Sequence, residues 1–217
     1  MAGLSVVLLA AFSALLALAA PSLAGDPDML QDLCVADYKS LEGPLRLNGF
    51  PCKRPENVTA TDFYSDVMSL PGNIGNPVGS ATVAANVEKV PGLNTLGVSM
   101  SRVDYAPWGV NPPHTHPRAT EMLFVLEGSL DVGFVTTAGK HFTRTVYKGG
   151  VFVFPRGLVH FQKNNSGVPA IAISVFNSQL PGTQSLAEAM PVASLPEPTD
   201  VLVRALQIDS GATVHVV

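Results

Sequence analysis

At 217 residues with 14% charged side chains, the chain is sized for one domain with a substantial core once any targeting segment is removed. Its 19 glycines and 18 prolines favour many short strands joined by tight turns over long helices. A formal charge of -4 and the absence of any basic run argue against an electrostatic nucleic-acid binder, so no DNA or RNA partner is expected.

From Leu4 to Ala20 the chain is apolar, and the first charged side chain is Asp26. The run is short for a membrane span and ends in small residues at Pro21-Ser22-Leu23-Ala24-Gly25, the pattern of a signal peptide over residues 1–24. No later run is long enough to span, so the mature chain is expected to be soluble and exported. Residues 25–60 read as an irregular extension. It holds Cys34 and Cys52, an isolated pair that in an oxidising compartment most simply forms one disulfide, contributing about 3 kcal/mol in the chain-entropy model. A two-thiol metal or redox site is the other reading. It is disfavoured because the spacing is not Cys-X-X-Cys and no histidine lies nearby. Asn57-Val58-Thr59 is a glycosylation acceptor in a polar stretch, and Asn164-Asn165-Ser166 is formally a second.

Thr61 to Ser69 reads as a short helix or turn, and Pro71 to Pro77 as loop. From Ala81 the character changes to short β segments: 83–87, 96–105, 122–126, 129–135, 142–147, 151–154 and 170–176, each bounded by Gly, Pro or Asn. Seven or more strands at this spacing predict an all-β sandwich or barrel over residues 61–182. In the second of them Val98, Met100, Arg102 and Asp104 alternate with Ser99, Ser101, Val103 and Tyr105, and periodicity alone does not decide which row faces inward. Residues 183–217 differ in kind: Leu186 to Met190 suggests a short helix, and Thr199 or Asp200 would cap another over Val201 to Gln207. Its stripe of Val201, Leu202, Ala205 and Ile208 needs a partner surface.

Chemistry concentrates in two stretches, Pro112-Pro113-His114-Thr115-His116-Pro117-Arg118-Ala119-Thr120-Glu121 and Pro155-Arg156-Gly157-Leu158-Val159-His160. His114 and His116 are two apart, so on an extended strand both imidazoles project to one face. Glu121 opens the next apolar run and His160 arrives from another strand. Three imidazoles and one carboxylate would hold a divalent ion and leave positions open on a six-coordinate metal. A lone histidine is more often a hydrogen-bonded core residue, but three of the five in the chain fall here, while His141 and His215 sit in unrelated contexts. Zinc, iron, copper and manganese all suit this donor set.

The spacing resembles the cupin family. His114, His116, Glu121 and Gly128 fit His-X-His, four residues, Glu, six residues, Gly; Gly149, Pro155, Gly157, His160 and Asn164 fit the second cupin motif with its spacing intact. With Gln31 to Asp37 upstream, the wording resembles that of plant germin-like proteins over essentially the whole mature chain to about Gln207. The resemblance implies a cupin jelly-roll β-barrel with a disulfide-stapled N-terminal extension (Cys34–Cys52) and short C-terminal helices. It further implies manganese as the ion on His114, His116, Glu121 and His160, a homo-oligomer built as a hexamer (a trimer of dimers), and secretion to the apoplast with a role in plant defence. Two departures stand out. Trp108 replaces a usual glycine and is expected to narrow or reshape the approach to the metal, as a packing residue rather than a substrate contact, and the tail from Asp209 to Val217 lacks the family's usual lysines and terminal phenylalanine.

Three functional readings follow. One is superoxide dismutation on a manganese couple, with only a small oxygen species at the metal. A second is oxalate oxidase. Two asparagines assigned to substrate in such germins align with Asn111, which is kept, and with Ser101, which has lost the amide, so this activity is not expected; Asn111 also reads as the start of an Asn-Pro-Pro turn. The third is a metal-stabilised, non-catalytic binding or receptor-like protein of the apoplast. Arg118 reads either as an anion-steering group or, more simply, as a rim or salt-bridge residue.

Overall fold

The computed structural model describes residues 31–40 and 49–186; the leader and the segment expected to be helical over Val201 to Gln207 lie outside the described residues. Among the described residues ten strands run in chain order: β1 (Ser80–Ala85), β2 (Ser99–Tyr105), β3 (Val110–Thr115), β4 (Glu121–Glu127), β5 (Ser129–Val135), β6 (His141–Tyr147), β7 (Val151–Phe154), β8 (His160–Lys163), β9 (Ala170–Phe176) and β10 (Gln184–Ser185). Two five-stranded antiparallel sheets, ordered β1-β2-β9-β4-β7 and β10-β3-β8-β5-β6, face one another as a jelly roll. Thr61 to Ser69 contains only a 3-10 turn, Ala60–Phe63.

The seven strands expected from the short β segments are all present; β3 and β8 are the extended strands on which the histidine spacing placed His114 and His160, and β10 is additional. The composition of β3 and β8 explains why alternation does not announce them. β3 contains Pro112 and Pro113, which have no N–H for the ladder, and its register with β8 shifts between Asn111 and His114. β8 is four residues long and places polar His160 and Gln162 inward, both buried.

The ambiguous alternation of β2 is resolved by burial: Ser99, Ser101, Val103 and Tyr105 face the interior. On its other face Asp104 is covered too, accepting a hydrogen bond from the Gly72 N–H at 2.8 Å and pairing with Arg102. The apolar core holds Val103, Tyr105, Leu123, Val125, Leu130 and Val132, closed by Val146, Phe154 and the small Ala170 and Ala172. These residues come from both sheets, so the core lies between the layers.

The N-terminal extension is fastened by the Cys34–Cys52 disulfide and an Ala36–Cys52 bridge, and the Ala36 N–H donates to the Pro91 carbonyl at 2.9 Å. Asn94, fully buried, completes the attachment by bonding both the N–H and the C=O of Phe50. A buried amide satisfied by a backbone donor and acceptor behaves as a strand pairing of one residue.

Candidate metal centre

His114, His116, Glu121 and His160 converge, with one ligand atom from each lying within 4.8 Å of the others, and all four are buried. Their placement follows from the ladder. His114 on β3 is the register partner of His160 on β8, and His116 follows just past the end of β3. Glu121 opens β4 in the opposite sheet, so the cluster bridges the two layers at one end of the barrel. Phe154 stacks on the His160 ring at 4.4 Å and Phe176 meets His116 edge-on at 4.9 Å, leaving the rings little freedom to turn.

Each imidazole is oriented by its outer nitrogen. The Nδ1 atoms of His114, His116 and His160 lie 2.7, 2.6 and 2.8 Å from the carbonyl oxygens of Pro112, Gly182 and Leu158. A carbonyl only accepts, so each Nδ1 carries the proton and each Nε2 keeps a free lone pair. Glu121 Oε2 sits 3.0 Å from His116 Nε2 and 3.1 Å from His160 Nε2. Three lone pairs and one carboxylate oxygen aimed at a common point, each imidazole fixed from behind by a carbonyl, are what a bound metal ion requires.

Electrostatics point the same way. Burial, with His160 next in weight, lowers the pKa of His114 to about 4, so its ring is neutral and ligating at neutral pH. Burial alone would raise the Glu121 carboxyl, but the His116 and His160 rings beside it outweigh burial and hold the group below the usual carboxylate range. A buried anion among imidazoles is an unbalanced charge that a divalent cation compensates.

The cluster opens on a cavity of about 310 Å³. Ser101, Asn111, Ser174 and Thr82 supply polar groups to its wall, and Val103, Phe176, Leu180 and Pro181 supply apolar ones; among the described residues no Lys or Arg lines it. Asn111 lies within β3 opposite Gln162 rather than in an Asn-Pro-Pro turn. Trp108, expected to reshape the approach to the metal, does not line the cavity: it is 60% exposed and holds a left-handed backbone at φ 65°, a conformation natural to glycine.

Arg118 is an exposed rim residue, as its simpler reading expects; it does not line the cavity and makes no salt bridge within 4 Å among the described residues. Its Nε donates to the Leu180 carbonyl at 2.7 Å and its backbone N–H to the Pro181 carbonyl at 3.2 Å. It thereby ties down the segment that walls the cavity and carries the Gly182 carbonyl on which His116 rests. Gly182 takes φ 68°, a backbone conformation that favours glycine, and a Cβ there would press on the Arg118 guanidinium at 2.7 Å and push it aside.

Sequence reasoning found the four ligands and missed Ser174 and Gln162, whose side chains both reach Glu121. A signal for each exists. Gln162 stands two residues from His160 and so shares its face, and Ser174 interrupts the Ala-Ile alternation of β9 on its inward row.

The cupin family profile matches residues 68–213. A germin-like protein of rice, germin-like protein 1-3 of Oryza sativa subsp. japonica, is 71% identical over 206 residues, covering 94% of this chain and 92% of that one. This chain is a germin-like cupin. A solved oxalate oxidase superposes with a TM-score of 0.80 at 43% identity, covering 86% of this chain and 93% of its own. Peruvianin-I, described as a cysteine peptidase from Thevetia peruviana latex, aligns at 33% identity and a TM-score of 0.69, covering 74% and 98% of the two chains. In the present germin-like cupin both cysteines are consumed by the disulfide, so no thiol nucleophile is available to it.

Proposed function

We propose that this germin-like cupin is an exported manganese protein whose His114–His116–Glu121–His160 centre performs one-electron chemistry on a small oxygen species, with superoxide dismutation the leading activity. The carrying observation is the orientation of the three imidazoles: every Nδ1 is committed to a backbone carbonyl, and every Nε2 is left to converge with Glu121 Oε2. A hard carboxylate with three imidazoles and no thiolate suits manganese. When bound, the ion would supply the one-electron couple. The protein's own residues do the rest: the histidines and Glu121 fix the ion's position, the apolar side of the cavity limits water, and Asn111 and Ser101 offer hydrogen bonds to an entering ligand.

Oxalate oxidation is disfavoured. At position 101 the cavity wall offers a short hydroxyl that cannot reach as an amide would. Export is supported by the leader pattern over residues 1–24 and by a structural disulfide, which belongs to an oxidising compartment. Assembly into a hexamer, an apoplastic site and a part in plant defence complete the reading. A glycan is assigned to the exposed Asn57, whereas Asn164 is fully buried and spends its amide nitrogen on the Ala106 and Val168 carbonyls.

The test is elemental analysis of protein secreted from a plant or yeast host without added metal. One manganese per chain, with superoxide turnover that disappears in Glu121→Gln, is the expected result. Zinc in the same place and no turnover would favour the metal-stabilised binding protein; folded protein without metal would overturn the reading.

A further inference from the structure

The two oxygens of the Glu121 carboxylate keep different company. Oε2 faces the imidazoles, whereas Oε1 accepts a hydrogen bond from Ser174 Oγ at 2.6 Å and a longer one from Gln162 Nε2 at 3.3 Å. Ser174 reaches it from the neighbouring strand: β9 pairs with β4, Ser174 is the register partner of Leu123, and Glu121 is therefore its diagonal neighbour on the inward face. Packing alone does not explain a serine here. The other inward residues of β9 are Ala170, Ala172 and Phe176, and Ser174 is 1% exposed, a position where a hydroxyl is unfavourable unless it has a partner.

We propose that Ser174 is a positioning residue for the metal centre, holding Oε1 so that Glu121 ligates through Oε2 alone and one coordination position stays open toward the cavity. A carboxylate released at Oε1 is free to swing and present both oxygens to an ion, filling the position a substrate would take. Ser174 and Ser101 are register partners across β9 and β2, and both line the cavity, so the side left open is the side on which a ligand enters. The inference rests on the metal reading proposed above.

The test compares full-length secreted protein carrying Ser174→Val, Ser174→Ala or Ser174→Thr with the wild type. Manganese(II) affinity is measured by chelator competition, the symmetry of the loaded site by electron paramagnetic resonance, and the fold by thermal melting. Valine and alanine should each weaken affinity about 10- to 100-fold, the usual effect of losing an outer-shell partner, and alter the zero-field splitting. Threonine, nearly the shape of valine but with the hydroxyl, should restore both. The proposal is overturned if the folded valine and alanine variants bind manganese as the wild type does with an unchanged spectrum, or if threonine is as impaired as valine, which would indicate packing. Alanine carries the comparison should valine disturb the strand. Failure of the underlying reading looks different: the wild type itself would then take up no stoichiometric manganese, and both claims would fall.

Discussion

The two ends of the barrel are built from the same strands with opposite materials. Along β2 the inward row runs Ser99, Ser101, then Val103, Tyr105; along β4 it runs Glu121, then Leu123, Val125; along β9 it runs Ala170, Ala172, then Ser174, Phe176. In each strand the change falls at the level where that strand passes the histidines. One end is a packed apolar core and the other a buried polar cluster in which Ser174 and Gln162 donate to Glu121. The contrast teaches that the fold draws its stability from one end and holds chemistry at the other, with the ladder hydrogen bonds carrying both.

That division can be broken from either side. The largest effect should come at the polar end: His160→Ala is expected to abolish stoichiometric metal binding, seen by elemental analysis, while circular dichroism still reports a folded barrel. At the apolar end, Leu123→Ala should lower unfolding free energy by about 2–5 kcal/mol in denaturant titration, because the residue is fully buried, yet leave metal stoichiometry intact under native conditions. If the two substitutions exchanged phenotypes, the separation of roles would be wrong.

A subtler test uses pH. In metal-free protein the folded pKa of His114 is depressed to about 4 by burial, against an ordinary value near 6.5. The unfolded chain therefore binds this proton more readily than the folded one. Stability is full above pH 6.5 and declines as pH falls toward 4, by up to about 3 kcal/mol for this group. Melting curves of the apoprotein should show that slope, and His114→Gln should flatten it. Smallest of all, Trp108→Gly should raise stability by about 1 kcal/mol, since it relieves a left-handed backbone at a residue that is mostly exposed and outside the cavity wall. No change in metal affinity should accompany it.

Much of this was legible in the one-dimensional chain, for reasons that can be named. His-X-His on extended backbone places two ligands on one face whatever the fold, and strands with clear alternation, such as Ala170–Phe176, announce themselves. Strands whose composition was given over to function showed only through their ligands: β3 lost its apolar pattern to Pro112 and Pro113, and β8 to His160 and Gln162. Trp108 misled because its side chain suggested a role in the approach to the metal, whereas its backbone angle is what distinguishes the position.

The sequence by itself determined the ligand set, the cysteine pair and the all-β class, because these depend on residue type and short spacing. Only the tertiary structure decided which row of β2 faces inward, that Arg118 clamps the Leu180–Gly182 wall, and that Glu121 offers one oxygen to the histidines and the other to Ser174. Those outcomes depend on contacts between residues that are 53 or more positions apart for Glu121 with Ser174 and for Arg118 with Leu180. Local spacing carries no information about such pairs until the sheets have closed.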